Sequence, residues 1–198
     1  MFSFLDNTKE NIRSWALRHA EGPHSKFWLS ALSFSEASFF PIPPDVLLIA
    51  ILLANKARQW LYYAFLTTLF SVLGGVLGYG IGYFFFDLFG QQVISFYGLQ
   101  SQFVYLKDIF NDTTFWAIFA AAFTPIPYKI FTITAGLFNV NFIVFLIASI
   151  LGRGIRFFAI GFILKHYGEK IANVLYKYFN IFSFVTLLIL IILAYTFL

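Results

Sequence analysis

The chain has 198 residues, of which 60% are hydrophobic and 11% charged, against roughly a quarter charged in a soluble globular domain. That balance leaves too little polar surface for a water-soluble fold and excludes a separate soluble domain. The net charge of +4 points to no nucleic-acid partner, because in so apolar a chain the placement of Lys and Arg matters more than their sum; the absence of cysteine excludes disulfide and thiolate chemistry.

Residues 1–26 mix Lys9, Arg13, Arg18 and Lys26 with Trp15 and Leu17, the pattern of a helix lying on a membrane surface. They lack the apolar stretch and cleavage site of a signal peptide, so this segment is expected to be retained. The membrane domain is expected over 27–198. Its first part, 27–54, is apolar but cut by Pro41, Pro43 and Pro44, which remove backbone donors and force the preceding residues out of helix. Each arm falls short of the roughly 20 residues that span a bilayer, so a re-entrant hairpin is predicted. Broken backbone at membrane depth must be buried in protein or line a polar cavity.

Residues 62–86 form a predicted transmembrane helix, with Gly74, Gly78 and Gly82 recurring every fourth residue as a packing face. A connector, 87–112, holds Asp87, Asp108 and Asp112 against Lys107. The first pattern then returns: a hairpin over 113–138 broken at Pro125 and Pro127, a span over 142–164, and a further span over 180–198. The fold class read from this order is an all-α integral membrane protein, an inverted repeat of re-entrant hairpin plus transmembrane helix with an additional C-terminal helix. Broken helices in an inverted repeat are a transporter signature. With a cytoplasmic N-terminus, Lys26, Arg58 and Lys165 fall on the cytoplasmic side and Lys107 on the other, as the positive-inside rule requires.

Five charges remain inside apolar sequence: Glu36, Asp45, Lys129, Arg153 and Arg156. Unpaired charges near the bilayer centre cost a few kcal/mol, about 2.5–3.5 on insertion scales, so these side chains should face a polar interior and pair. Asp45 and Lys129 follow the two proline breaks in equivalent places and are expected on opposing sides of one pocket. Arg153 and Arg156, three residues apart, share a helix face suited to gripping a phosphate; the alternative is that all these charges merely neutralise one another. His19, His24 and His166 have no metal-ligand spacing, and neither hairpin contains a histidine to activate Ser33, Ser35 or Ser38. No metal, cofactor or catalytic residue is expected, and no enzyme.

The blocks SEASFFPIPPDVLL, SVLGGVLGYGIGY, TPIPYKIFTITAG and GRGIRFF, in this order across most of the chain, resemble the DedA superfamily, also called VTT or SNARE-associated domain proteins, and within it the YqaA-like branch. The resemblance implies two opposed re-entrant hairpins and movement of phospholipids or a polyprenyl-phosphate carrier lipid across a membrane. It also maps the family's acidic motif onto Glu36 and Asp45, whose protonation would couple transport to a proton gradient. In the second motif arginines normally bracket the proline, whereas here Lys129 is the one basic residue nearby. The expected function is a lipid flippase or scramblase in a bacterial inner membrane, with membrane lipids as partners and homo-oligomerisation left open. The rivals are a membrane scaffold working through its glycine face and N-terminal helix, and a proton-coupled ion or small-solute transporter.

Overall fold

The computed structural model describes residues 24–39, 42–55, 57–124 and 126–168. The expected surface helix before residue 24, Pro41, Pro125 and the expected span over 180–198 lie outside these residues. The described residues contain α1 Ser25–Ser38, α2 Pro44–Ala54, α3 Trp60–Phe85, a π-helical turn Phe86–Gly90, α4 Gln91–Tyr97, α5 Gln100–Phe123, α6 Tyr128–Leu137 and α7 Phe142–Tyr167, and no strand.

Local chemistry sets the helix ends. Pro43 is extended (φ −70°, ψ 134°) and Pro44 opens α2 at the position where a missing N–H costs nothing, with Asp45 in the positive first turn. Pro127 plays the same part before α6. The Asn141 side chain accepts hydrogen bonds from the Ile143 and Val144 amides at 2.9 and 3.2 Å, capping α7. Helix α1 buries its hydroxyls by turning them onto its own backbone: Ser33 donates to the Leu29 carbonyl at 2.6 Å and Ser38 to that of Phe34 at 2.8 Å.

Helices α3 and α7 are long and apolar enough to cross a membrane. Each has 26 residues, or about 39 Å at 1.5 Å per residue, against a hydrocarbon core of about 30 Å. On α3 the row Leu61, Phe65, Leu69, Leu73, Leu77 and Ile81 is exposed while Gly74, Gly78 and Gly82, each one residue after an exposed member, are buried. One face is therefore dressed for lipid and its neighbour for close packing.

The helix pairs pack on α3 from its two ends. Lys26 near the start of α1 lies 5.0 Å from the Tyr62 ring near the start of α3, whereas Ser38 at the end of α1 donates to the carbonyl of Gly74, midway along α3, at 2.9 Å. α2 then returns, and the Ala57 amide closes on the Leu52 carbonyl just before α3 begins. In the second pair α6 starts midway, with the Tyr128 hydroxyl against Gly75, and ends with Leu137 against Gly82. Phe138 packs 5.3 Å from Phe103, near the start of α5. α7 runs back along α3, from Phe142 beside Tyr79 to Gly161 beside Trp60. The expected connector is helical: α5 is continuous from Gln100 to Phe123, through the boundary placed at 112/113. Its charges sit at the helix surface, with Asp108 and Asp112 exposed, and no proline or glycine interrupts 100–123.

Candidate functional site

Two buried ion pairs lie where the breaks meet. Asp45, 2% exposed in the first turn of α2, faces Arg156, 9% exposed on α7. The pair is bidentate, Nε donating to Oδ1 at 3.0 Å and Nη2 to Oδ2 at 2.9 Å. The remaining Nη1 donates to the carbonyls of Phe123, at 3.3 Å, and Thr124. Those carbonyls end α5 at the second break, where the proline pattern denies them helical partners. One guanidinium thus holds the residue that follows the first break and the backbone that enters the second.

The other pair is looser. Arg153, 2% exposed, brings Nη2 to 3.2 Å from Glu36 Oε2 on α1. The geometry falls short of a hydrogen bond: Glu36 Oε2 and Arg153 Nε are both buried with no hydrogen-bond partner among the described residues. The Arg153 guanidinium lies over the Tyr128 ring, 4.1 Å from its centroid, a favourable cation–π position for a desolvated cation. Ser71 Oγ is likewise buried without a hydrogen-bond partner among the described residues, and the buried Tyr128 hydroxyl has Ser149 of α7 as its hydrogen-bonding neighbour. The hydroxyl abuts Gly75, four residues along α3 from Ser71. Three elements, α1, α3 and α7, therefore each supply one polar group with unfilled hydrogen-bonding capacity.

Of the five charges singled out in the sequence, the structure joins Glu36 with Arg153 and Asp45 with Arg156. Asp45, expected across a pocket from Lys129, takes Arg156 as its ion-pair partner, and Lys129, partly buried, makes no ion pair among the described residues. Helix geometry sets Lys129 apart from the residue before it. Tyr128 turns fully into the core, and the next residue of a helix points about 100° away. The two arginines share a face as their spacing implies, but they spend it on carboxylates. Sequence reasoning missed Tyr128, Ser71 and the break carbonyls, because nothing local separates Tyr128 from ten other tyrosines. Its place directly after Pro127, at the first turn of a buried helix, was the available signal.

Gly74, Gly78 and Gly82 are filled from within the chain. A Cβ at each would lie 2.1 Å from the Phe34 carbonyl oxygen, 2.3 Å from Thr132 Oγ1 and 1.9 Å from the Ile133 carbonyl oxygen. α1 and α6 thus dock against the backbone of α3 and carry Glu36 and Tyr128 to the site.

The VTT domain family matches residues 40–166, a stretch that holds Asp45, both arginines and the second break and begins just beyond Glu36. A Haemophilus influenzae protein described only as uncharacterised is 36% identical over 169 residues, covering 85% of this chain and 86% of its own length. A Histophilus somni protein described in the same way is 38% identical over 146 residues, 74% of this chain and 75% of its own. No solved structure matches the chain.

Proposed function

This chain belongs to the VTT-domain family, and from that premise we propose that it is a membrane transporter that passes the headgroup of a phospholipid or polyprenyl-phosphate carrier lipid across the bilayer. The observation that carries the proposal is the unequal pair of pairs. Arg156 fastens both breaks together with its three nitrogens engaged, whereas Arg153 keeps a buried donor unfilled, and Glu36 Oε2 and Ser71 Oγ are unfilled likewise. Leaving such groups unsatisfied in hydrocarbon costs several kcal/mol each. A polar cargo with several acceptor and donor atoms, such as a phosphorylated headgroup, fits that demand.

In this proposal the helix pairs are re-entrant hairpins of an inverted repeat, entering from opposite faces of a bacterial inner membrane with the N-terminus cytoplasmic. Protonation of Asp45 removes the charge that holds Arg156, releases the Phe123 and Thr124 carbonyls, and lets the two breaks part. Glu36 and Arg153 then exchange each other for a proton and a phosphate oxygen. Apart from the protons carried, no bond of the lipid is made or broken. A scaffold built on the glycine face is less well supported, since Gly74, Gly78 and Gly82 already receive α1 and α6.

Reconstitution in vesicles with labelled lipids tests the proposal. Arg153→Lys keeps the charge but not the planar fork, and loss of one charge-assisted hydrogen bond in the transition state should slow lipid movement by about 10- to 100-fold. Unchanged lipid movement in Arg153→Lys overturns the headgroup assignment. Proton flux without lipid movement in the wild-type protein would instead favour an ion or small-solute carrier.

A further inference from the structure

Where α1 and α3 begin and α7 ends, the surface holds an open cavity of about 490 Å³ lined by Lys26, Arg58, Trp60, Tyr62 and Lys165, together with Gln59 and Leu61. Three cations from three parts of the chain meet there, and no carboxylate lines it. Two of them are set by aromatic faces: Lys26 Nζ is 5.0 Å from the Tyr62 centroid and Lys165 Nζ 5.7 Å from that of Trp60. Arg58 is exposed and makes no ion pair among the described residues. The α1 and α3 N-termini also open here without a side-chain cap, which adds to the positive potential.

The cavity continues into a second of a different character. A groove of about 620 Å³ shares Lys26 and Tyr62 with the first and runs between α1 and α3 past Phe27, Ala31, Phe34, Leu66 and Phe70. Eight residues along either helix correspond to about 12 Å, directed from the end of a spanning helix toward its middle. The groove opens sideways, where Phe27 is 64% exposed. Trp60 and Lys165 stand at the outermost turns of α3 and α7, the level at which Trp, Tyr, Lys and Arg meet lipid headgroups.

We propose that these joined cavities are a binding site for one anionic phospholipid of the leaflet that meets this end of the bundle, its phosphate among Lys26, Arg58 and Lys165 and an acyl chain in the groove between α1 and α3. The cations alone would accept any phosphate, and the groove alone any alkyl chain; their continuity selects a molecule with both. The site is separate from the buried ion pairs, and its occupancy does not depend on transport. Lipid binding here can stand if lipid movement fails, and the reverse.

The test is native mass spectrometry of the purified full chain in detergent, titrated with phosphatidylglycerol or with phosphatidylcholine of the same acyl chains. Phosphatidylglycerol should be retained preferentially. Lys26→Gln, Arg58→Gln and Lys165→Gln should each weaken its binding about fivefold, the worth of one cation near an anionic lipid, and the three together should abolish the preference. Ala31→Trp, which fills the groove, should weaken binding with every cation in place. Full retention of phosphatidylglycerol by the triple variant overturns the headgroup assignment. Displacement of the lipid by glycerol 3-phosphate at equal concentration would show a site for free phosphates and overturn the acyl-chain assignment. All four positions lie at or near the surface, so these variants spare the buried core.

Discussion

The Asp45–Arg156 pair holds backbone as well as charge. Removing one member of a buried pair strands the other and costs about 3–5 kcal/mol, whereas replacing both by apolar groups of similar size is often neutral. Asp45→Asn and Arg156→Met should therefore each lower the melting temperature in detergent sharply, and Asp45→Leu with Arg156→Met should recover much of the loss. Glu36→Gln should cost less than Asp45→Asn, because the contact it breaks lacks hydrogen-bond alignment. Thermal unfolding of these variants checks the ranking, and equal losses at Glu36 and Asp45 would contradict the contrast between a tight and a loose pair. Four of these charges were legible in the sequence because an ionised side chain in an apolar run has few places to go. Their partners were not, since Asp45 and Arg156 are 111 residues apart and only helix rotation decides which cation faces which acid. Lys129 shows the difference: it follows the second break as Asp45 follows the first, yet makes no ion pair among the described residues.

At the scale of elements, glycine decides how closely helices approach. Gly82 and Gly136 are reciprocal: a Cβ at Gly82 would lie 1.9 Å from the Ile133 oxygen of α6, and one at Gly136 would lie 1.9 Å from the Tyr79 oxygen of α3. Neither backbone can move aside without separating the two helices. Gly74→Ala and Gly82→Ala should thus destabilise the protein severely, while Gly78→Ala, which meets the Thr132 hydroxyl, should cost less because that side chain can turn. Gly80, on the same helix, has nothing within 4 Å of its Cβ position, and Gly80→Ala should be neutral or stabilise by up to about 1 kcal/mol through helix propensity. Melting temperatures of the four alanine variants test the series; a loss at Gly80 equal to that at Gly82 would mean that helix flexibility, not contact, is what the glycines provide. The every-fourth spacing made the α3 row visible in the sequence. Gly136, alone in its helix, and Gly152, packed 2.6 Å from Ala122 at its Cβ position and sharing α7 with Gly154 and Gly161 at no four-residue spacing, were not visible because neither belongs to a regular row. The π-helical turn at Phe86–Gly90 also left no pattern, since it adds one residue per turn without changing the composition.

At the scale of the whole molecule, the proline breaks were the most legible feature, because the missing donors and the restricted residues before them act locally. Which end each helix pair approaches from is set by long-range contact, and here the molecule makes a sharp demand. Lys26, Arg58 and Lys165 line one cavity, so the start of α1, the turn before α3 and the end of α7 lie at one end of the bundle, which in the proposed topology is one side of the membrane. Phe103 and Phe138 pack together near the other end of α3, so the same topology puts Lys107 on the opposite side. Were residues 27–54 to cross the bilayer fully, Lys26 and Arg58 would be separated by its thickness and the cavity could not exist. Because the chain contains no cysteine, single replacements report position without background. Lys26→Cys, Asn55→Cys and Lys165→Cys should react with an impermeant maleimide from one and the same side, and Lys107→Cys from the other. With the cationic side cytoplasmic, as the positive-inside rule requires, intact cells should label only Lys107→Cys, and permeabilised cells all four. Labelling of Lys26→Cys and Asn55→Cys from opposite sides would replace the returning helix pair with a span, dissolve the shared cavity, and leave Arg156 no route by which to hold both breaks at one depth.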